Sequence, residues 1–161
     1  MHGREKGIRQ LMAINMLKRL ESSVNSFRLT IQRIQELIQN TINRIDNFSR
    51  DRYGHTSLEV DDYYPSMVAE DEEYYGSAFV GGKKTKIDLA DMDFISWRQY
   101  LEWDNEILNL LLVMLQDITP RHDSKLQQLI EDLESKFSHP INDKNKKVLI
   151  FTPFSDTAEY L

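Results

Sequence analysis

A heptad seam constrains this chain before anything else does. Leu17, Leu20, Val24, Phe27, Ile31, Ile34, Ile38, Thr41, Ile45 and Phe48 recur at alternating spacings of three and four residues. That is an a/d stripe sustained over about four and a half heptads, with Thr41 as its polar exception, and it predicts left-handed supercoiled packing. No Gly or Pro interrupts residues 8–50. The spacing therefore predicts one long helix over residues 1–50, whose uninterrupted stretch 8–50 runs roughly 60 Å at 1.5 Å per residue. A helix of that length needs a surface on which to lay its seam.

Residues 94–140 supply it. From Phe94 to Ile118 the chain is dense with Trp97, Leu101, Trp103, Ile107, Leu108 and the run Leu110 to Leu115. The second half is apolar nearly all round, which implies burial on more than one side. Thr119-Pro120 ends this helix, because a residue before proline is pushed out of the helical region. A further helix, about Asp123 to Phe137, shows Leu126, Leu129, Ile130, Leu133 and Phe137 at helical spacing. Both are expected to pack on the first helix.

Residues 51–93 have a different texture. Acidic runs, paired tyrosines and a Gly-Gly step leave few aliphatics, too few to offset the entropy of ordering. This segment reads as a long acidic, Tyr-rich excursion, disordered in part. Charge follows the same division: nine Lys/Arg stand against four Asp/Glu in residues 1–50, four against eleven in 51–93, and seven against eleven in 94–161. With a net charge of −6, any contact with nucleic acid must be local, since a bulk binding surface is basic.

The last element is β in character. Val148 to Phe151 is an unbroken apolar run, introduced by Lys146-Lys147 and stopped by Thr152-Pro153. A strand buried on both faces of a parallel sheet reads this way. Ser155 is a suitable N-cap for a helix opening at Asp156. The expected architecture is mainly α: a long antiparallel helical hairpin or bundle carrying one orphan C-terminal strand. Residues 141–161 would then be the first strand and helix start of a truncated α/β lobe.

Three strings carry a resemblance. Lys146–Leu161, "KVLIFTPFSDTAEYL" from its second lysine, is similar to the fourth motif of superfamily two helicases, which opens their second RecA-like lobe. Lys18-Arg19-Leu20-Glu21-Ser22-Ser23, with Phe27 and Thr30, resembles the helix that follows lobe one in bacterial members of the Swi/Snf-type branch. Asp123-Ser124-Lys125-Leu126, with Leu129 and Leu133, resembles the helix just ahead of lobe two. The resemblance implies an ATP-dependent helicase or translocase as the parent enzyme, with ATP and Mg²⁺ as its cofactors and nucleic acid, double-stranded DNA above all, as its partner. It assigns this chain to the region between the lobes. The Walker lysine, the DExx acids and the arginine finger of such motors are absent from these residues, so the chain alone is expected to be catalytically inactive and to bind no cofactor.

By the same resemblance Lys18, Arg19, Ser22 and Ser23 are inter-lobe or nucleic-acid contacts, and Thr152, Pro153 and Phe154 line the nucleic-acid path. Docking of the lobes and contact with nucleic acid both stay open for the first group. The remaining arginines of the long helix are more simply a solvated coiled-coil face. A non-enzymatic helical module for protein–protein interaction is the alternative; it needs no lobe-two strand. An exposed apolar edge at Val148–Phe151 also invites pairing with a second copy, as a homodimer.

Other constellations have plainer explanations. Gly76 to Thr85 approaches a phosphate-binding loop, but an extra glycine and an extra lysine break the spacing and no buried strand precedes it. Asp91, Asp93 and Glu102 match three calcium-loop positions, yet Ile95 and Ser96 occupy places that need an oxygen ligand and a glycine. Asp91 or Asp93 capping the following helix explains them better. The four histidines share no metal-ligand spacing, so no metal site and no catalytic residue is assigned. Without cysteine, disulfides and thiolate chemistry are excluded. No apolar run is long enough to span a membrane and no signal-peptide core opens the chain, which points to the cytoplasm.

Overall fold

A computed structural model describes residues 2–50, 57–59, 86–140, 142 and 145–161. The chain is mainly helical: α1 His2–Ser22, α2 Val24–Arg50, α3 Phe94–Gln116, α4 Ser124–Ser138 and α5 Ser155–Tyr160. Two short strands, β1 Ser57–Glu59 and β2 Lys86–Asp88, pair antiparallel with Leu58 opposite Ile87. A 3₁₀ turn, Leu89–Asp91, leads from β2 toward α3. The tyrosine runs and the Gly76–Thr85 string of the acidic excursion lie outside the described residues. The chain divides into two compact units, residues 29–113 and residues 1–28 with 114–161.

Within residues 29–113 the heptad seam is turned inward, and Ile42 beside it is buried too. Ile38, Ile42, Ile45, Leu89 and Leu101 form a buried core, with Ile34, Phe48, Met92, Phe94, Trp97 and Leu108 packed against it. The end of α2 meets the start of α3: Phe48 and Phe94 make an edge-to-face pair at 5.3 Å. Arg98 Nε donates to Asp46 Oδ1 at 2.6 Å, so α3 returns antiparallel along α2. Thr41 tolerates burial at a seam position because its hydroxyl donates to the Leu37 carbonyl at 2.8 Å, which satisfies the polar group within the helix. Asp93 caps α3, its Oδ1 accepting from the Ser96 N–H at 3.1 Å, one of the two acids expected to do so. The end of the acidic excursion is structured, since Leu89 and Met92 belong to this core.

The first helix is interrupted where the sequence predicts continuity. α1 stops at Ser22 and α2 starts at Val24. At the break, Ser23 Oγ accepts from the Ser26 N–H at 3.0 Å, the geometry of an N-cap bonding to the third helical residue. Ladder bonds persist on either side, from Ser23 N–H to Arg19 O and from Phe27 N–H to Ser23 O. A serine hydroxyl competing locally for the backbone thus divides one expected helix into two. The seam fails on the α1 side: Leu17 is 64 % and Leu20 40 % exposed, while Arg19 is buried.

The C-terminal segment also departs from expectation. Residues 145–154 adopt neither helix nor strand, and Leu149 and Phe151 are 83 % and 90 % exposed. A strand exists only as part of a ladder, and no described residue pairs with Val148–Phe151. The N-cap of α5 is Phe154 rather than Ser155, which is the first helical residue.

Candidate functional site

In the unit of residues 1–28 and 114–161, the break after α1 is where distant parts of the chain meet. α5 lies against it. Arg19 Nη1 donates to Asp156 Oδ2 at 3.0 Å, and both side chains are about 95 % buried. The Arg19 guanidinium also stands 4.7 Å from the centroid of the Phe154 ring, so one face of the cation is covered by an aromatic quadrupole. Around this pair runs a set of hydroxyls. Thr157 Oγ1 is 2.9 Å from Ser22 Oγ and 3.0 Å from Ser23 Oγ, and Ser22 Oγ is 3.3 Å from Thr152 Oγ1. Ser23, Asp156 and Thr157 are buried; the Ser23–Thr157 contact and the Arg19–Asp156 pair make burial of these polar groups tolerable.

α4 closes the arrangement from the other side. Lys125 Nζ donates to the Glu21 carbonyl, one of the last-turn oxygens that a helix leaves without an internal partner. Asp123 is the N-cap of α4: Oδ1 accepts from the Leu126 N–H at 3.1 Å, while Oδ2 accepts from the Tyr160 hydroxyl at 3.1 Å. Burial, followed by this hydrogen bond, holds the Tyr160 phenol above its ordinary pKa. Arg28 terminates α3 in the same unit, its Nη2 donating to the carbonyls of Leu115 at 3.0 Å and Ile118 at 2.8 Å.

The residues singled out in sequence fare differently. Arg19, Ser22, Ser23, Thr152 and Phe154 come together. Phe154 is 6 % exposed beneath Arg19, which puts it inside the cluster. Lys18 and Pro153 face outward. Sequence reasoning missed Asp156, Thr157 and Tyr160. The spacing of Arg19 and Asp156 across 137 positions leaves no local signal, and Asp156 reads simply as an acid in a first helical turn. The arrangement holds elements in register through ionic and hydroxyl contacts; among the described residues it brings no three metal-ligating side chains together.

No protein-family model, curated protein or solved structure matches this chain.

Proposed function

We propose that this chain is the helical connector between the two RecA-like lobes of a Swi/Snf-type helicase or translocase, joined to the opening elements of lobe two. One observation carries the reading: the three strings that bear the resemblance, numbered here from the N-terminus and far apart in sequence, touch one another. Arg19 of the first contacts Asp156 of the third. Lys125 of the second contacts Glu21 of the first. Asp123 of the second contacts Tyr160 of the third. A chance likeness of three short strings would carry no reason for their side chains to interlock.

Val148–Phe151 fits the same proposal as the first strand of lobe two. Its exposed Leu149 and Phe151 are suited to the interior of a parallel sheet whose other strands come from the rest of the lobe. In the parent, a cytoplasmic enzyme with ATP and Mg²⁺ bound elsewhere, the Arg19–Asp156 cluster fastens the connector to lobe two. Lobe closure on double-stranded DNA then moves α1 and α4 with it. The chain alone hydrolyses no ATP; DNA-stimulated ATPase activity from these residues by themselves overturns the assignment.

The decisive experiment uses the parent enzyme. Arg19→Glu should leave DNA-stimulated ATP hydrolysis largely intact but reduce DNA movement per ATP, and adding Asp156→Arg should restore it. Unchanged movement per ATP in Arg19→Glu rejects the coupling role. A helical interaction module remains the second reading, favoured by an exposed apolar stripe on α3. In that case residues 148–151 should pack against the helices, and their exposure weighs against it.

A further inference from the structure

The sequence of α3 asks for burial on more than one side, and the described contacts provide one. Leu101 and Leu108 face the α2 core. On another face Tyr100, Trp103, Ile107 and Leu110 are 59 %, 53 %, 58 % and 62 % exposed. These four large side chains are spaced three, four and three residues apart, which is a second a/d seam, this one open. Tyr100 and Trp103 are already locked edge to face at 5.6 Å, so little side-chain freedom is left to lose when the surface is covered.

We propose that this stripe is a homodimerisation surface on which α3 of a second copy lies antiparallel. The order of the side chains is what selects this occupant. In an antiparallel pair, a positions of one helix meet d positions of the other. Tyr100 of one copy then faces Leu110 of the other, and Trp103 faces Ile107. Each layer sets a large aromatic against an aliphatic, and the register repeats about a two-fold axis near Asn105, as an isologous contact requires. A parallel pair would instead stack Tyr100 on Tyr100 and Trp103 on Trp103, leaving Ile107 and Leu110 to fill a wider gap than their volume allows.

The area is sufficient for a weak dimer. At these exposures the four side chains offer roughly 500 Å² per copy, about 1,000 Å² in total, the lower edge of specific interfaces. Self-association is therefore expected at micromolar concentrations. Asp104 and Glu106 border the stripe, and the two-fold brings like charges of the two copies toward each other. Salt screens that repulsion, so the dimer should tighten as ionic strength rises. A basic helix bound at the same place, including α1 of another copy, would loosen with salt.

Sedimentation equilibrium of the full chain across the micromolar range, at low and high salt, is the first test. A monomer–dimer equilibrium that tightens with salt supports the proposal, and a strict monomer or a salt-weakened complex overturns it. Ile107→Glu with Leu110→Glu should raise the dissociation constant about tenfold or more, with Leu17→Glu as a control that leaves it unchanged; circular dichroism checks that the helices persist. Because the chain has no cysteine, single-cysteine variants report orientation directly. Mixing Tyr100→Cys with Leu110→Cys should give crossed disulfides in excess of either alone. Preferential Tyr100→Cys self-crosslinking, or no crosslink above a scrambled control, rejects the antiparallel register.

Discussion

Tyr160 and Asp123, 37 residues apart, share a hydrogen bond at 3.1 Å on a carboxylate whose other oxygen caps α4. One side chain thereby starts a helix and fastens another element to it. Substituting it removes two functions at once, which distinguishes Asp123 from an ordinary cap.

Asp123→Ala should destabilise the unit by about 2 kcal/mol or more, the upper range for losing a cap, because Tyr160 also loses its acceptor. Asp123→Asn retains an acceptor for the Leu126 N–H and should cost less. Urea denaturation of the three proteins orders them, and equal stability of Ala and Asn variants contradicts the double role.

The same contact makes stability fall in alkali. A phenol whose folded pKa lies above its unfolded value contributes stability that is fully present below the unfolded value, about 10. That stability is lost as pH rises through the folded value. Since the Tyr160 phenol is shifted upward, Tyr160→Phe should flatten the decline in unfolding free energy above roughly pH 9.5. An unaltered alkaline profile in the variant rules this out.

Arg19 and Asp156 are buried together, so removing either charge breaks a buried ion pair. Asp156→Leu or Arg19→Met alone should cost about 3–5 kcal/mol, whereas the double variant should regain most of it. A double-mutant cycle by thermal or chemical denaturation measures the coupling. Additive losses would mean that the two charges do not depend on one another.

Asp46 and Arg98 give the contrasting case. Their side chains are about a third exposed, and the bond from Arg98, opposed by desolvation, holds the Asp46 carboxyl below its ordinary value. A depressed carboxylate contributes stability above its unfolded pKa, near 3.9, and that stability is lost as pH falls through the folded value. Asp46→Asn should therefore cause a small loss at neutral pH that disappears in acid and shrinks in high salt. A loss of equal size at low pH points to packing instead.

Seam residues that look alike in sequence should behave differently. Ile45 is fully buried and Leu17 mostly exposed, so Ile45→Ala should cost about 2–5 kcal/mol and Leu17→Ala under about 0.5 kcal/mol. Denaturation midpoints compare them directly, and similar costs would place Leu17 in a core.

Much of the helical content was legible because its causes are local. The Ile31–Phe48 stripe, the Asp93 cap, the helix opening about Asp123 and the stop at Thr119-Pro120 each depend on residues within a turn or two of one another. Such signals survive in a bare sequence because 3.6-residue periodicity and capping are short-range physics. The three strings pointed to Lys18, Arg19, Ser22, Ser23, Thr152, Pro153 and Phe154, and all of these but Lys18 and Pro153 come together.

Tertiary structure alone decided the rest. Whether Leu17 or Arg19 is buried depends on α5 presenting Asp156 and Phe154 from more than 130 positions away. Whether Ser23 merely sits in a helix or divides it depends on a hydroxyl choosing the Ser26 N–H while Thr157 approaches. Whether Val148–Phe151 is a strand depends on a neighbour able to share its ladder. Composition along the chain specifies which segments coil into helices; which of their faces become interior is set by contacts between segments, and those energies appear only once the segments meet.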